Sequence, residues 1–221
     1  MRLLIINPNT SEGVTARIAT AAARAALPQD EFVTITAPFG PALIVTPEDH
    51  ELAIQAVLAA VAAHQDSVDG IVIASFGDTG IEEVRAQVRV PVIGIARAAY
   101  AAAESLGKRF SIVSFSPLLE PSLIASLDHY GLADRLAALL TLKNPVYSDP
   151  GALQDELEQA LLELCQHAAA HREVGSIVLG GGPLAGLAQR LQASVSCPVI
   201  DGTSAAIALM RVATSVSASP H

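Results

Sequence analysis

The chain has 221 residues, of which 51% are hydrophobic and 16% charged, and its 22 acidic against 13 basic residues give a net charge of −9. This composition is typical of a compact globular protein, and without a run of lysine and arginine it argues against a nucleic-acid surface. The apolar stretches fall short of the roughly 20 residues of a spanning helix, and the N-terminus lacks the apolar region of a signal peptide. We therefore expect a cytoplasmic protein that binds neither nucleic acid nor membrane.

Short apolar runs alternate with helical stretches along the whole chain. Seven runs predict buried strands, at residues 3–7, 32–36, 70–75, 92–95, 110–114, 176–180 and 199–201. Helical spacing predicts helices at residues 11–26, 47–64, 96–106, 118–130, 149–171, 184–193 and 203–213. Such alternation predicts an α/β fold with mostly parallel sheets.

Three pairs of segments repeat at an offset of about 107 residues: 5–7 with 112–114, 71–75 with 177–181, and 91–94 with 198–201. This offset is too long for a solenoid unit and favours two pseudo-symmetric lobes, each a mostly parallel sheet flanked by helices. We place the first lobe at residues 1–96 plus 203–221 and the second at residues 97–202. Because ligands of open α/β sheets bind beyond the carboxyl ends of the strands, the site is expected in the cleft between the lobes.

Two loops of the repeat carry residues suited to an anion. Asn9 and Thr10 precede a predicted helix whose free N–H groups favour a carboxylate, and Ser114 and Ser116 occupy the equivalent loop of the second lobe. Plain helix capping is the alternative for these side chains. We take all four as candidate substrate contacts.

Two further loops are candidates for the reacting centre. The loop after the third strand offers a hydroxyl, a carboxylate, backbone donors and an aromatic ring, from Ser75, Phe76, Gly77, Asp78 and Thr79. The matching loop of the second lobe, Gly181-Gly182-Pro183, lets backbone approach a ligand but has no side chain that moves a proton. Together the four loops predict a pocket for a small anionic molecule.

Other common chemistries find no support in the sequence. The four-residue spacing of Glu163, His167 and His171 is opposed by leucines on the same helix, which indicates a solvated face and not a metal site. No acid–nucleophile pattern accompanies the remaining histidines, His50, His64, His129 and His221. The glycines lack the spacing of a nucleotide-binding motif, and we expect neither a metal nor a cofactor.

Six motifs occur in one order over nearly the whole chain: residues 6–10, 37–41, 76–80, 91–96, 106–113, and 177–180 leading to 198–202. In these the sequence resembles the aspartate/glutamate/hydantoin racemase family, in its hydantoin and allantoin racemase branch. The resemblance implies a cofactor-independent, often homo-oligomeric isomerase whose substrate lies between two lobes. It also implies two cysteines that work as base and acid on opposite faces of the substrate, because a thiol has an ordinary pKa near ~8.5 that its surroundings can lower.

The two cysteine positions of the family are occupied here by Ser75 and Gly181. The resemblance thus implies proton transfer at the α-carbon of a small carboxylate or cyclic amide, with Ser75 and Asp78 or a bound water in place of the thiols. Two alternatives stay open: a decarboxylase or lyase step in the same pocket, and non-catalytic binding of a small anion. The related arylmalonate decarboxylases keep a cysteine at the second position, which this chain also lacks.

Overall fold

The computed structural model describes residues 1–64 and 66–217 and contains two parallel four-stranded sheets. In the first sheet, in the order β2-β1-β3-β4, the strands are β1 (Arg2–Asn7), β2 (Glu31–Thr36), β3 (Gly70–Ile73) and β4 (Val92–Gly94). In the second, in the order β6-β5-β7-β8, they are β5 (Arg109–Ser114), β6 (Leu136–Thr141), β7 (Val174–Leu179) and β8 (Val199–Ile200). The predicted α/β fold of two similar lobes is confirmed.

Eight α-helices within the described residues cover the sheets: α1 (Glu12–Ala25), α2 (Pro47–His64), α3 (Ile81–Gln87), α4 (Ile95–Ser105), α5 (Glu120–His129), α6 (Leu153–Ala169), α7 (Leu187–Leu191) and α8 (Gly202–Ser217). The Ser11 hydroxyl caps α1 by accepting the Val14 N–H at 3.2 Å. Thr46 and Asp49 start α2 with reciprocal side-chain to backbone bonds of 3.0 and 3.1 Å. Over the described ranges no helix combines the length and apolar character needed to cross a membrane.

The sequence repeat corresponds to a repeat of strands. β1, β3 and β4 hold the same places in the first sheet as β5, β7 and β8 in the second. All seven predicted strands are present, but the sequence missed β6 and the short helix α3. β6 is rich in alanine and leucine, which favour helix, and it becomes a strand because it pairs with β5 at the sheet edge.

The larger apolar core is continuous between the lobes. It includes Leu3 and Ile5 of β1 as well as Phe110 and Ile112 of β5, all fully buried. The last helix, α8, packs on α1 and α4 and so returns the chain to the first half of the molecule. The division into residues 1–96 plus 203–221 and residues 97–202 stays a prediction, and residues 218–221 lie outside the described residues.

Candidate active site

A cavity of about 610 Å³ takes its walls from both halves of the chain. The loop after β3 contributes Ser75 and the loop after β7 contributes Gly181. The two loops lie against each other, since a Cβ atom placed on Gly182 would be 2.9 Å from the carbonyl oxygen of Ala74. The cavity therefore lies where the fold predicted the site, beyond the carboxyl ends of the central strands.

Most of the residues proposed from the sequence line this cavity, namely Asn9, Ser75, Phe76, Gly77, Asp78, Thr79, Gly181, Gly182 and Pro183. The Asn9 side-chain oxygen accepts the Asn7 amide at 3.0 Å and the Ser11 N–H at 2.9 Å. This leaves the Asn9 amide nitrogen without a partner among residues 1–64 and 66–217, so that it is available to a ligand.

Thr10, Ser114 and Ser116 are not among the residues that line the cavity. The Ser114 hydroxyl donates to the Gly180 carbonyl at 2.5 Å, which ties the loop after β5 to the loop after β7. The Ser116 hydroxyl accepts the Leu118 N–H at 3.3 Å and caps the following turn. The Thr10 N–H donates to the Pro41 carbonyl at 3.0 Å. In this structure the three residues hold the loops in place behind the cavity wall.

Ser75 presents its hydroxyl at the cavity wall in a defined orientation. Its oxygen accepts the Thr79 N–H at 3.1 Å, and the hydroxyl donates to Thr79 Oγ1 at 2.9 Å. Thr79 Oγ1 lies 3.5 Å from Nδ1 of His50, which reaches the same cavity from α2. The sequence assigns no role to His50, because it lies 25 positions before Ser75 and no local pattern shows that α2 packs beside this loop.

Asp78 is 4% exposed, and its carboxylate accepts three hydrogen bonds. The donors are the N–H groups of Ala96 and Arg97, both at 2.9 Å, and the hydroxyl of Tyr130 at 2.6 Å. Ala96 and Arg97 belong to the first turn of α4, so Asp78 acts as its N-cap from a distance. Burial raises the pKa of Asp78 above its ordinary value, although the three donors and Arg85 oppose that rise. The carboxylate is committed to joining the β3 loop, α4 and α5.

The second proton-carrier position is closed by an aromatic ring. Gly181 has φ +153°, and a Cβ atom there would lie 2.8 Å from Cε1 of Phe115. Phe115 is fully buried and packs edge-on against Tyr147 with the ring centroids 6.2 Å apart. A side chain at position 181 would therefore have to displace a packed ring.

Much of the remaining wall is apolar and was not predicted. The segment 43–45 between β2 and α2 contributes Leu43, Ile44 and Val45. Leu123 and His129 come from α5, and Tyr130 follows directly after it. Residues 37–41, which form one of the motifs of the family resemblance, do not line the cavity. The lining residues from the segment 43–45 and from α5 are brought to the cavity by tertiary packing, which the sequence pattern does not show.

Neither cysteine reaches the cavity. Cys165 belongs to α6 and is fully buried in the core, where burial raises the pKa of its thiol to about 12. Cys197 is partly exposed, and burial raises its pKa as well. Neither thiol is placed to replace the two that the family pattern would put at Ser75 and Gly181. Within the described chain, no three His, Cys, Asp or Glu side chains cluster as a metal site would require.

Comparison with known proteins shows which family the sequence matches. The sequence model of the family described as Asp/Glu/Hydantoin racemase matches residues 3–210. The chain is 34% identical over 211 residues to the hydantoin racemase of Paenarthrobacter aurescens, covering 93% of this chain and 88% of that protein. It is 32% identical over 211 residues to the hydantoin racemase of Pseudomonas sp. (strain NS671), covering 94% of this chain and 83% of that protein.

A solved structure agrees with the sequence matches. The allantoin racemase from Klebsiella pneumoniae superposes with a TM-score of 0.91 and 36% sequence identity, covering 98% of this chain and 89% of that one. The same two-lobe architecture is therefore found in a racemase whose sequence is also similar.

Proposed function

This chain belongs to the Asp/Glu/hydantoin racemase family, and we propose that it moves the proton on the carbon next to a carbonyl in a small carboxylate or cyclic amide of the hydantoin class, without a cofactor. The observation that carries the proposal is that the loops bearing Ser75 and Gly181 line one cavity of about 610 Å³. That volume is within the range of small-molecule sites, and its walls are largely apolar with a few polar groups, as such sites require.

The roles follow from the contacts. Ser75 stands at the first proton-carrier position, while Gly181 marks the second and offers only backbone. The N–H groups of Gly181 and Gly182 have no hydrogen-bond partner in the described part of the chain, so they are free to stabilise charge that develops on a substrate carbonyl oxygen. Asn9 and Thr79 add polar contacts. Asp78 keeps the loop in place through α4 and Tyr130.

The proposal is tested by α-proton exchange in heavy water. Each enantiomer of a set of 5-substituted hydantoins, allantoin and acidic amino acids is incubated with the protein, and loss of the α-proton signal is followed by NMR while chiral chromatography follows inversion. We expect deuterium to enter the α-carbon of at least one substrate, and Ser75→Ala to abolish this. Absence of exchange across the whole set would contradict the proposal.

A second candidate rests on the missing carrier at Gly181. With Phe115 filling that side, the pocket suits a reaction that delivers a proton to one face only, such as decarboxylation of a disubstituted malonate or another lyase step through an enediolate held by backbone donors. Release of carbon dioxide without α-proton exchange of the hydantoins would favour this candidate. Thermal stabilisation by a small anion without any turnover would instead indicate a binding protein.

A further inference from the structure

Three side chains form a connected polar path that leads from the cavity wall into the first turns of α2. Ser75 donates to Thr79 Oγ1 at 2.9 Å, and Thr79 Oγ1 lies 3.5 Å from His50 Nδ1. Thr79 is 1% exposed, so solvent does not compete for its hydroxyl from outside the cavity. The path therefore links Ser75, at the first proton-carrier position, to His50, a side chain with no role predicted from the sequence.

The geometry assigns a direction to the path. The Ser75 oxygen already accepts the Thr79 N–H at 3.1 Å, and the Ser75 hydrogen points to Thr79 Oγ1. The Thr79 hydroxyl hydrogen is then left to donate to His50 Nδ1, which requires the neutral imidazole to carry its hydrogen on Nε2. Catalytic hydrogen bonds are often long in an empty site and shorten when substrate binds, so 3.5 Å is compatible with transfer in the complex.

The position of His50 is set by contacts of its main chain and of its ring. The main-chain N–H of His50 donates to the Thr46 carbonyl at 3.0 Å, and Thr46 and Asp49 cap α2 with reciprocal hydrogen bonds. Its ring also lies beside Gly77, where an added Cβ would be 3.8 Å from Cε1 of His50. The imidazole therefore lies between the start of α2 and the β3 loop.

We propose that His50 is a positioning residue that activates Ser75 through Thr79, so that the Ser75 hydroxyl takes over the work of the missing thiol. The inference rests on the proposed function, because it concerns the same proton. A serine hydroxyl by itself is a poor base, whereas the imidazole is the side chain whose ordinary pKa lies nearest to neutrality.

The step balances without any further reactant. The substrate α-carbon loses its proton to Ser75 Oγ while the Ser75 proton passes to Thr79 Oγ1 and the Thr79 proton to His50 Nδ1. The electron pair of the broken C–H bond moves into the adjacent carbonyl, which becomes an enolate oxygen, and His50 becomes an imidazolium. Reversal of the same three transfers returns a proton to the carbon from the Ser75 side.

The decisive experiment compares variants along the path in the deuterium-exchange assay. We expect Thr79→Val and His50→Gln each to lower kcat by about 10² to 10⁴-fold, the range of general-base assistance, with little change in KM. Thr79→Ser keeps the hydroxyl and should stay within a few-fold of the wild type. His64→Gln is the matched control on the same helix, because the only bond of the His64 ring to residues that the structure describes is the one to the Ala60 carbonyl of its own turn, at 3.0 Å.

Two readouts separate a relay from a structural role. Exogenous imidazole should restore exchange to His50→Ala. In a Ser75→Cys background the thiol ionises by itself, with an ordinary pKa near ~8.5, so adding His50→Gln should cost only a few-fold. An equal loss from His50→Gln in both backgrounds, or none in the wild type, would overturn the relay.

A measurement that needs no substrate keeps the inference testable if the proposed function fails. In protein labelled with ¹⁵N-histidine, we expect neutral His50 to carry its hydrogen on Nε2, and its Nδ1 resonance to move in Thr79→Val but not in His64→Gln. A hydrogen on Nδ1, or an unchanged resonance in Thr79→Val, would refute the relay. Absence of exchange in both the wild type and Ser75→Cys would contradict the proposed function instead.

Discussion

Replacement of Asp78 by alanine is expected to destabilise the junction between the lobes more than any single surface change. The Asp78 carboxylate is 4% exposed and accepts the N–H groups of Ala96 and Arg97 at 2.9 Å and the Tyr130 hydroxyl at 2.6 Å. Asp78→Ala therefore uncaps α4 and leaves the Tyr130 hydroxyl without its acceptor.

The size of the effect follows from these three bonds. Loss of an N-cap costs about 0.5–2 kcal/mol, and loss of a hydrogen bond to a charged group costs about 1.5–3 kcal/mol. We expect Asp78→Ala to lower the free energy of unfolding by about 2–5 kcal/mol. Tyr130→Phe, which removes only the hydroxyl, should cost about 1–3 kcal/mol.

Urea unfolding of the two variants and of the double mutant measures these values. Because the residues are in direct contact, the double mutant should cost less than the sum of the single changes by about 1–3 kcal/mol. A loss below about 1 kcal/mol for Asp78→Ala, or strict additivity with Tyr130→Phe, would refute the assignment of Asp78 to the junction.

The pH dependence of the folding stability gives a separate test of the environment of Asp78. Burial is the largest influence on Asp78 and raises its pKa, so the folded protein keeps this proton to higher pH than the unfolded chain. The contribution of the group is then fully present below its ordinary pKa of about 3.9 and is lost as the pH rises through the raised folded value. The stability of the wild type relative to Asp78→Asn should therefore fall as pH rises from 4 to 8, and a gain over that range would show that the three donors outweigh burial.

Three further outcomes are expected. Gln154→Ala should lower the free energy of unfolding by about 2–4 kcal/mol, because the buried Gln154 amide donates to the carbonyls of Pro183 and Ala185 at 2.8 and 2.7 Å. Gln159→Ala, at an exposed position of the same helix, is the control. Equal losses for the two variants in urea unfolding would contradict this prediction. Gly181→Cys should lower the free energy of unfolding by about 1–3 kcal/mol, because its side chain contacts the Phe115 ring. Adding Phe115→Leu should restore part of that loss. A Gly181→Cys variant as stable as the wild type would show that the Phe115 ring moves aside without cost. Since Gly181 offers no proton carrier, deuterium exchange should exceed inversion by at least about tenfold, and equal rates by NMR and chiral chromatography would reveal a carrier on that face.

Seven of the eight strands were accessible from the sequence because a strand depends on local pattern. Continuous apolar runs such as Leu3–Ile6 mark strands that are buried on both faces, and their recurrence about 107 residues later marks the second sheet. β6 escaped because its alanines and leucines favour a helix, and only pairing with β5 makes that segment a strand.

The candidate site was likewise predicted only in part from the sequence. The sequence alone placed Ser75 and Gly181 after equivalent strands and so on facing loops, because the carboxyl ends of parallel strands lie at one edge of a sheet. It offered the Asp78 carboxylate as a proton carrier in place of a thiol, whereas the fold engages that carboxylate at the start of α4. It gave no role to His50, which reaches Thr79 only because α2 packs beside the β3 loop. The positions of strands and loops along the chain follow from periodicity. Which strands pair, which side chains meet and which carboxylate is already bonded depend on contacts between distant segments that only the packed tertiary structure creates.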